Sequence, residues 1–237
     1  MAYCIDSEDN RQNEDWTSSM LAGNNRKNAL GNKLDFALRR VSVLSLIGAS
    51  GVGKTELLRR THEILRGRLK LEVVIASPAA KVDQGRLSAV GLAIHEVPCN
   101  IYGFLEAKSV GQVTAKIEFN PGALLFIEHP GNLFSPWGFD LGENCRILVH
   151  SVTEGHDQPM KHPKLFSGVD LVLVNKIDLL HFTDFSWQRF HANLRKVESK
   201  AQVIGVSCRS GFGLTEWREW LLGFLGEDPV ESSSSVW

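Results

Sequence analysis

No stretch of this sequence approaches the roughly 20 consecutive apolar residues that a membrane-spanning helix requires. The opening residues, Met1 to Thr17, are polar and acidic, unlike a signal peptide. Both absences point to a cytoplasmic chain. An excess of charge is missing as well. The 26 basic residues face 27 acidic ones, giving a net charge of -1. That balance leaves no electrostatic footprint for nucleic acid or for an anionic membrane. Cysteine is scarce and scattered: Cys4, Cys99, Cys145 and Cys208 include no CxxC pair. Neither a zinc knuckle nor a redox pair is expected. The last three read as buried free thiols, since an unpaired cysteine behaves as a small apolar residue.

What is present is enough for one sizeable core: 237 residues, 43% of them hydrophobic. Residues 1–24 lack periodicity and are expected to be a mobile tail. From Asn25 to Arg40 the pattern is helical, with Ala29, Leu30, Leu34, Phe36 and Leu38 as apolar contacts. Short apolar runs then recur as strand candidates: Val41 to Ile47, Leu71 to Ala76, Leu92 to Val97, Leu124 to Ile127, Ile147 to Ser151, Leu171 to Val174 and Val203 to Val206. Helical patterns separate most of them, at Thr55 to Leu65, Leu105 to Lys116, Trp187 to Lys200 and Leu214 to Leu225. This alternation predicts a three-layer α/β fold, a mainly parallel sheet with helices on both faces. A single domain over 25–227 is expected, followed by a disordered tail, 228–237, with four serines in a row. Trp217 and Trp220, three apart on the last helix, read as core residues.

Gly48-Ala-Ser50-Gly51-Val52-Gly53-Lys54-Thr55 fits the GxxxxGK[ST] phosphate-loop pattern between a strand and a helix. Glycines let the chain curl so that successive backbone N–H groups face phosphate oxygens. The following helix adds its positive end. Lys54 is placed for the β- and γ-phosphates, and the Thr55 hydroxyl for Mg²⁺. Further on, Asn175-Lys176-Ile177-Asp178 ends a strand. A carboxylate such as Asp178 can accept from N1–H and from the 2-amino group of guanine; adenine offers neither donor there, and would leave the carboxylate unpaired. Asn175 can hold the loop, the Lys176 stem can pack on the base, and Ser207 and Cys208 can supply backbone donors after the last strand. The expected ligand is a guanine nucleotide, GTP, with Mg²⁺. Glu128, directly after an apolar strand, is expected near the Mg²⁺ water shell or the attacking water. Gly131 offers a flexible amide for the γ-phosphate. Lys54 and Glu128 are the candidate catalytic residues, and Thr55 and Glu128 the candidate metal ligands.

Longer motifs narrow the reading. Ile127-Glu128-His129-Pro-Gly131-Asn132-Leu133, followed by Phe139-Asp140-Leu141-Gly142-Glu143, resembles the ENVGNL…FDLGE stretch of the hydrogenase nickel-incorporation GTPases, the HypB family. Thr153-Glu154-Gly155-His156-Asp157-Gln158-Pro159-Met160-Lys161-His162-Pro163 is similar to that family's TEGxDxPxKxP segment. The likeness runs from about Asn25 to Leu225, and urease-accessory GTPases are the nearest relatives in kind. It implies a P-loop NTPase of the SIMIBI class that hydrolyses GTP and dimerises when loaded with it. It also implies partners among hydrogenase precursors and other maturation proteins in the delivery of nickel, with Lys161 positioned to reach a neighbouring nucleotide in the dimer. A non-hydrolysing GTP-binding assembly factor for a metalloenzyme is the alternative.

The departures are specific. Where the family has a Cys-His pair before Leu-Asp-Ala, this chain has Gly103 and Phe104 before Leu105-Glu106-Ala107. The family's Cys-Pro is here Ser135-Pro136. Gly and Phe cannot bind nickel, and a serine hydroxyl is a poor substitute for thiolate. No nickel or zinc is therefore expected at the family's interface site. His129, His156 and His162 fall in loops near the same edge; they could rebuild a metal site or stand as solvated loop residues. After the second strand the family has Gly-Asp, but this chain has Ser77-Pro78-Ala79-Ala80, with Asp83 the nearest acid and a helix cap as its alternative role. Hydrolysis is accordingly expected to be slow or partner-dependent.

Overall fold

The computed structural model describes residues 7–76, 85, 87–101, 103–131 and 139–227, with side chains from 23 onward. Cys4, Ser77 to Ala80, Asp83, Asn132, Leu133, Ser135, Pro136 and the tail 228–237 lie outside the described residues.

Among the described residues, seven strands form one sheet in the order β3-β2-β4-β1-β5-β6-β7, every neighbouring pair parallel. They are β1 (Ser42–Ile47), β2 (Leu71–Ala76), β3 (Ala93–Val97), β4 (Leu124–Glu128), β5 (Cys145–Ser151), β6 (Leu171–Asn175) and β7 (Gln202–Gly205). The helices among the described residues include α1 (Ser7–Leu38), α2 (Lys54–Leu65), α3 (Ala107–Thr114), the short α4 (Gln158–Lys161) and α5 (Pro163–Phe166), α6 (Trp187–Val197) and α7 (Leu214–Phe224). The apolar runs mark every strand, with ends shifted by no more than two residues.

The two faces of the sheet are read directly from alternation along β1. Leu44 and Leu46 point into a core shared with Leu57 and Leu58 of α2 and with Trp217 and Leu221 of α7. Val43 points the other way, into a cluster with Ala29 and Phe36 of α1 and Val110 of α3. Ile47, on that same side, joins Leu148, Phe166 and Phe190 under α5 and α6. Helices thus cover both faces, giving three layers. Trp217 is fully buried and its Nε1–H donates to Thr61 Oγ1 at 2.8 Å, which satisfies the polar edge of a large apolar side chain. Trp220 is only half-buried, stacked on Trp217 with ring centroids 5.6 Å apart.

The first helix departs from the sequence pattern. It begins at Ser7, not at Asn25, so part of the segment expected as a mobile tail has helical backbone. Of the apolar contacts expected on it, Ala29 and Phe36 are buried, whereas Leu30, Leu34 and Leu38 are 60%, 59% and 85% exposed. The buried stripe is Asn25, Ala29, Asn32 and Phe36, so two asparagines do what leucines were expected to do. Asn32 Nδ2 donates to the carbonyls of Ala107 (2.7 Å) and Leu141 (2.9 Å). Asn25 donates to Asp140 O (2.7 Å) and accepts from Ala107 N–H (2.8 Å). These bonds cap the start of α3 and hold the Asp140–Leu141 turn against α1. The close approach depends on Gly142, at φ 95°, where a Cβ would lie 2.7 Å from Asn32 Cβ.

Replacing Asn32 by alanine removes both bonds and strands the Leu141 carbonyl, while the Ala107 carbonyl keeps its bond within α3. The expected loss of unfolding free energy in urea titrations is about 1–3 kcal/mol; a change within 0.3 kcal/mol would mean that water takes over both bonds.

Candidate functional site

In a parallel sheet, the loops beyond the carboxyl ends of the strands form the binding edge. The turn between β1 and α2 is the phosphate loop. Gly53, at φ 102°, is the N-cap of α2, and a Cβ there would come within 2.4 Å of Asn175 Nδ2. Gly48, at φ 143°, would place a Cβ 2.3 Å from Val149 O on β5. Glycine at both positions is therefore a packing requirement as well as a conformational one. Lys54 is buried, with its ammonium held by the carbonyls of Gly48 (2.9 Å) and Ala49 (3.0 Å). A buried cation above a loop of backbone amides, at the positive end of a 12-residue helix, is an anion-binding arrangement.

The other side of the loop meets β4. Thr55 Oγ1 lies 3.4 Å from Glu128 Oε1, and Glu128 is buried at the strand end. A hydroxyl and a carboxylate side by side are the hard oxygen donors that suit Mg²⁺. Gly131 packs against the phosphate loop with its carbonyl accepting from Ser50 N–H at 3.0 Å. Its expected role was through its amide, so in this conformation the opposite end of the residue faces the loop. His129 bonds to Ser45 Oγ (3.3 Å). Burial first, then the charges of Arg146 and Lys54, push its imidazole down to about 3.

Asn175 ends β6, two strands from β1, and is buried. Its Nδ2 donates to Val52 O in the phosphate loop (2.8 Å), and its Oδ1 accepts from Cys208 N–H (3.2 Å). Lys176 adopts φ 61° and donates to Gly51 O (2.6 Å). Asp178 lies in the 3-10 turn Ile177–Phe182 and accepts from Ser207 Oγ at 2.5 Å; Ser207 Oγ in turn accepts from Ser210 N–H at 3.0 Å. The hydroxyl of Ser207 thus fixes the carboxylate, whereas the backbone donors expected of Ser207 and Cys208 are engaged within the protein, Ser207 N–H with Phe212 O at 2.9 Å and Cys208 N–H with Asn175 Oδ1. All the expected binding residues from Gly48 to Thr55 and from Asn175 to Asp178, with Gly131, Ser207 and Cys208, stand on one edge of the sheet.

The end of β5 and the segment after it add a buried polar cluster around His150. His150 is buried, stacked on Phe190 at 5.1 Å, with Nδ1 3.0 Å from Glu154 Oε2 and Nε2 3.0 Å from Gly155 O. Ser151 and Glu154 also form a capping box. Burial tends to raise the Glu154 carboxyl, but the His150 hydrogen bond and charge, the Ser151 amide and the Lys176 charge together hold it below its ordinary value. The only sequence signal was the Ser-x-x-Glu spacing. Lys161 pairs with Asp157 at 2.7 Å in the exposed turn that follows. Among the described residues, no group of three His, Cys, Asp or Glu side chains is placed to hold a metal ion. Gly103 and Phe104 sit in a turn pinned by Asn100, which accepts from Phe104 N–H at 3.0 Å.

A phosphate loop after a central parallel strand, laced by an asparagine to an Asn-Lys-x-Asp turn, defines a P-loop nucleotide-binding protein of the α/β three-layer class. A family model described as the CobW/HypB/UreG nucleotide-binding domain matches residues 42–205. The hydrogenase maturation factor HypB of Azotobacter vinelandii is 39% identical over 201 residues, 85% of this chain and 66% of that protein. The HypB of Escherichia coli K12 is 34% identical over 197 residues, 83% of this chain and 68% of that one. The crystal structure of HypB from Archaeoglobus fulgidus has a TM-score of 0.79 at 30% identity, covering 86% of this chain and 99% of that one. The chain belongs to the CobW/HypB/UreG nucleotide-binding family, and within it to the HypB hydrogenase maturation factors. No helix among the described residues is long and apolar enough to cross a membrane.

The cysteines supply a direct check on the base loop. Burial, then the charge of Glu56, pushes the Cys208 thiol up to about 12, and burial raises Cys145 further still. Cys99 is half-buried and is also raised by burial. In native protein, Cys145 and Cys208 should resist Ellman's reagent and react only on unfolding. Rapid native labelling of Cys208, located by peptide mapping, would contradict the closed base loop.

Proposed function

We propose that this chain is a Mg²⁺-dependent GTP-binding and GTP-hydrolysing accessory protein of the nickel-insertion type, acting by nucleotide-controlled dimerisation. The observation that carries the reading is the pair of hydrogen bonds made by Asn175. They tie the phosphate loop and the loop after β7 to the strand end that precedes Asp178, which supports one nucleotide spanning both. In this arrangement the backbone amides of the phosphate loop and the Lys54 ammonium receive the phosphates, while Asp178 accepts from the N1–H and 2-amino groups of guanine. Thr55 and Glu128 would hold Mg²⁺, which would supply charge neutralisation at the phosphates. Glu128 lies beside the γ-phosphate end and orients water for in-line attack. Catalysis is then mostly positioning and charge stabilisation.

Family membership supports the delivery role, with a hydrogenase precursor or another maturation protein as client and Lys161 reaching across the dimer. The chain's own residues set a limit on it. Gly103 and Phe104 stand where the family's soft ligands would be, so we assign no nickel or zinc to that interface position. Ser77 to Ala80 replace a stretch with a carboxylate, which favours slow or partner-assisted turnover. A GTP-loaded assembly factor with negligible turnover is the second reading.

Single-turnover assays with GTP and Mg²⁺ decide between them. The enzyme reading expects phosphate release above that of Lys54→Ala, which should lose at least roughly tenfold in rate. Release no faster than the variant supports the non-hydrolysing factor, and absence of any guanine-nucleotide binding by the native chain sinks both. Recognition of the base is tested separately. Asp178→Asn loses an acceptor and gains a donor, so GDP affinity should fall roughly 10–100-fold. Xanthine nucleotides, which carry a carbonyl in place of the 2-amino group, should gain. Unchanged GDP affinity in titration calorimetry would remove Asp178 from the base site.

A further inference from the structure

Helix α1 carries two unlike faces. Its packed stripe, Asn25, Ala29, Asn32 and Phe36, is buried against the rest of the fold. Leu30, Leu34 and Leu38 each stand two positions from a member of that stripe, about 200° around the helix. They therefore point away from the domain, and all three are exposed. Leucines at i, i+4 and i+8 form one continuous apolar ridge. The ridge does not stop at the helix end. Leu38 also lines a recess of about 680 Å³ with Ile117, Phe119 and Pro121, which extends the apolar surface past α1. In the other direction, positions 16 and 20 lie about five turns before 34 and 38 and share their face, and the sequence has Trp16 and Met20 there. Single exposed leucines are ordinary, whereas a sustained apolar stripe marks a contact surface.

Charge along α1 specifies what fits the ridge. From Ser7 to Ala22 the sequence holds Glu8, Asp9, Glu14 and Asp15 against Arg11 alone. From Gly23 to Leu38 it holds Arg26, Lys27 and Lys33 against Asp35, which already pairs with Arg39 at 3.2 Å. Arg26, Lys27 and Lys33 are exposed and make no ion pair among the described residues. A helix that is acidic in its first half and basic in its second repels a parallel copy of itself. An antiparallel copy is attracted, because reversal lays each acidic half along the other's basic half.

Such a contact repeats itself about a twofold axis, the commonest symmetry of soluble oligomers. The 32 residues of α1 offer roughly 48 Å of helix to it. We propose that two copies of this chain associate through antiparallel pairing of α1, with Leu30, Leu34 and Leu38 in the seam and opposite charges flanking it. The pairing uses a face turned away from the sheet and needs no nucleotide. It is therefore separate from the GTP-controlled contact proposed above and stands whether or not that contact forms.

The test is the mass of full-length, nucleotide-free protein, kept in EDTA so that no GTP-controlled contact contributes. Size-exclusion chromatography with light scattering, at about 50 µM chain, should give twice the chain mass of 26.3 kDa. Leu34→Glu should return the single-chain mass while keeping the native far-ultraviolet circular dichroism spectrum and a cooperative melt, and Leu30→Glu serves as the second variant. Charge reversal tests the direction. Arg26→Glu, Lys27→Glu and Lys33→Glu together should weaken association at least roughly tenfold. Adding Glu8→Lys, Asp9→Lys, Glu14→Lys and Asp15→Lys to those three should restore it. A single-chain mass for the native protein, or a dimer that survives both leucine variants, would overturn the pairing. A full reversal that fails to restore association, or a native mass above two chains, would overturn the antiparallel arrangement.

Discussion

The side-chain amide of Asn175 is the joint on which the binding edge turns. It is buried at the end of β6, donates to Val52 in the phosphate loop and accepts from Cys208 in the base loop. Three segments far apart in sequence are thereby fixed relative to each other by one planar group. Shape requirements follow from it. Gly53 must lack a Cβ because Asn175 Nδ2 occupies that space, and the same glycine must adopt a positive φ to start α2 at Lys54. Lys176, next in the chain, takes a left-handed conformation that costs a non-glycine residue something of order 1 kcal/mol, and its bond to Gly51 offsets that cost.

The same logic of polar groups inside apolar surroundings recurs away from the site. Asn25 and Asn32 dock α1 through backbone carbonyls and an amide, and His150 holds the turn after β5 through Glu154 and Gly155. A leucine in place of Asn32 would bury more apolar area but would leave the carbonyl of Leu141 without its donor. Such bonds specify one docking geometry, where apolar contact alone tolerates several.

These polar contacts also mark the limit of what the sequence discloses. Strands buried on both faces appear as apolar runs, because every residue along them faces a core; β2 and β4 were therefore visible almost to the residue. The phosphate loop and the Asn-Lys-x-Asp turn are legible for a different reason. Their chemistry needs particular residues within a few bonds of each other, so spacing carries the information. Helix α1 misleads because periodicity counts leucines. Leu30, Leu34 and Leu38 form a regular stripe, yet the face that packs carries asparagines whose partners lie some seventy to a hundred residues later in the chain.

The strand order has a consequence for synthesis. β1, which carries the phosphate loop, sits between β4 and β5, and neither exists until residues 124 and 145 have left the ribosome. During that interval its Leu44 and Leu46 have no sheet to join, and β2 is paired with only one of its two neighbours. The nascent chain therefore passes through a long stage with apolar strand edges open, when chaperones have the most to shield. Nucleotide can grip both ends of its site only once β6 and β7 have been translated, so ligand capture and closure of the domain coincide.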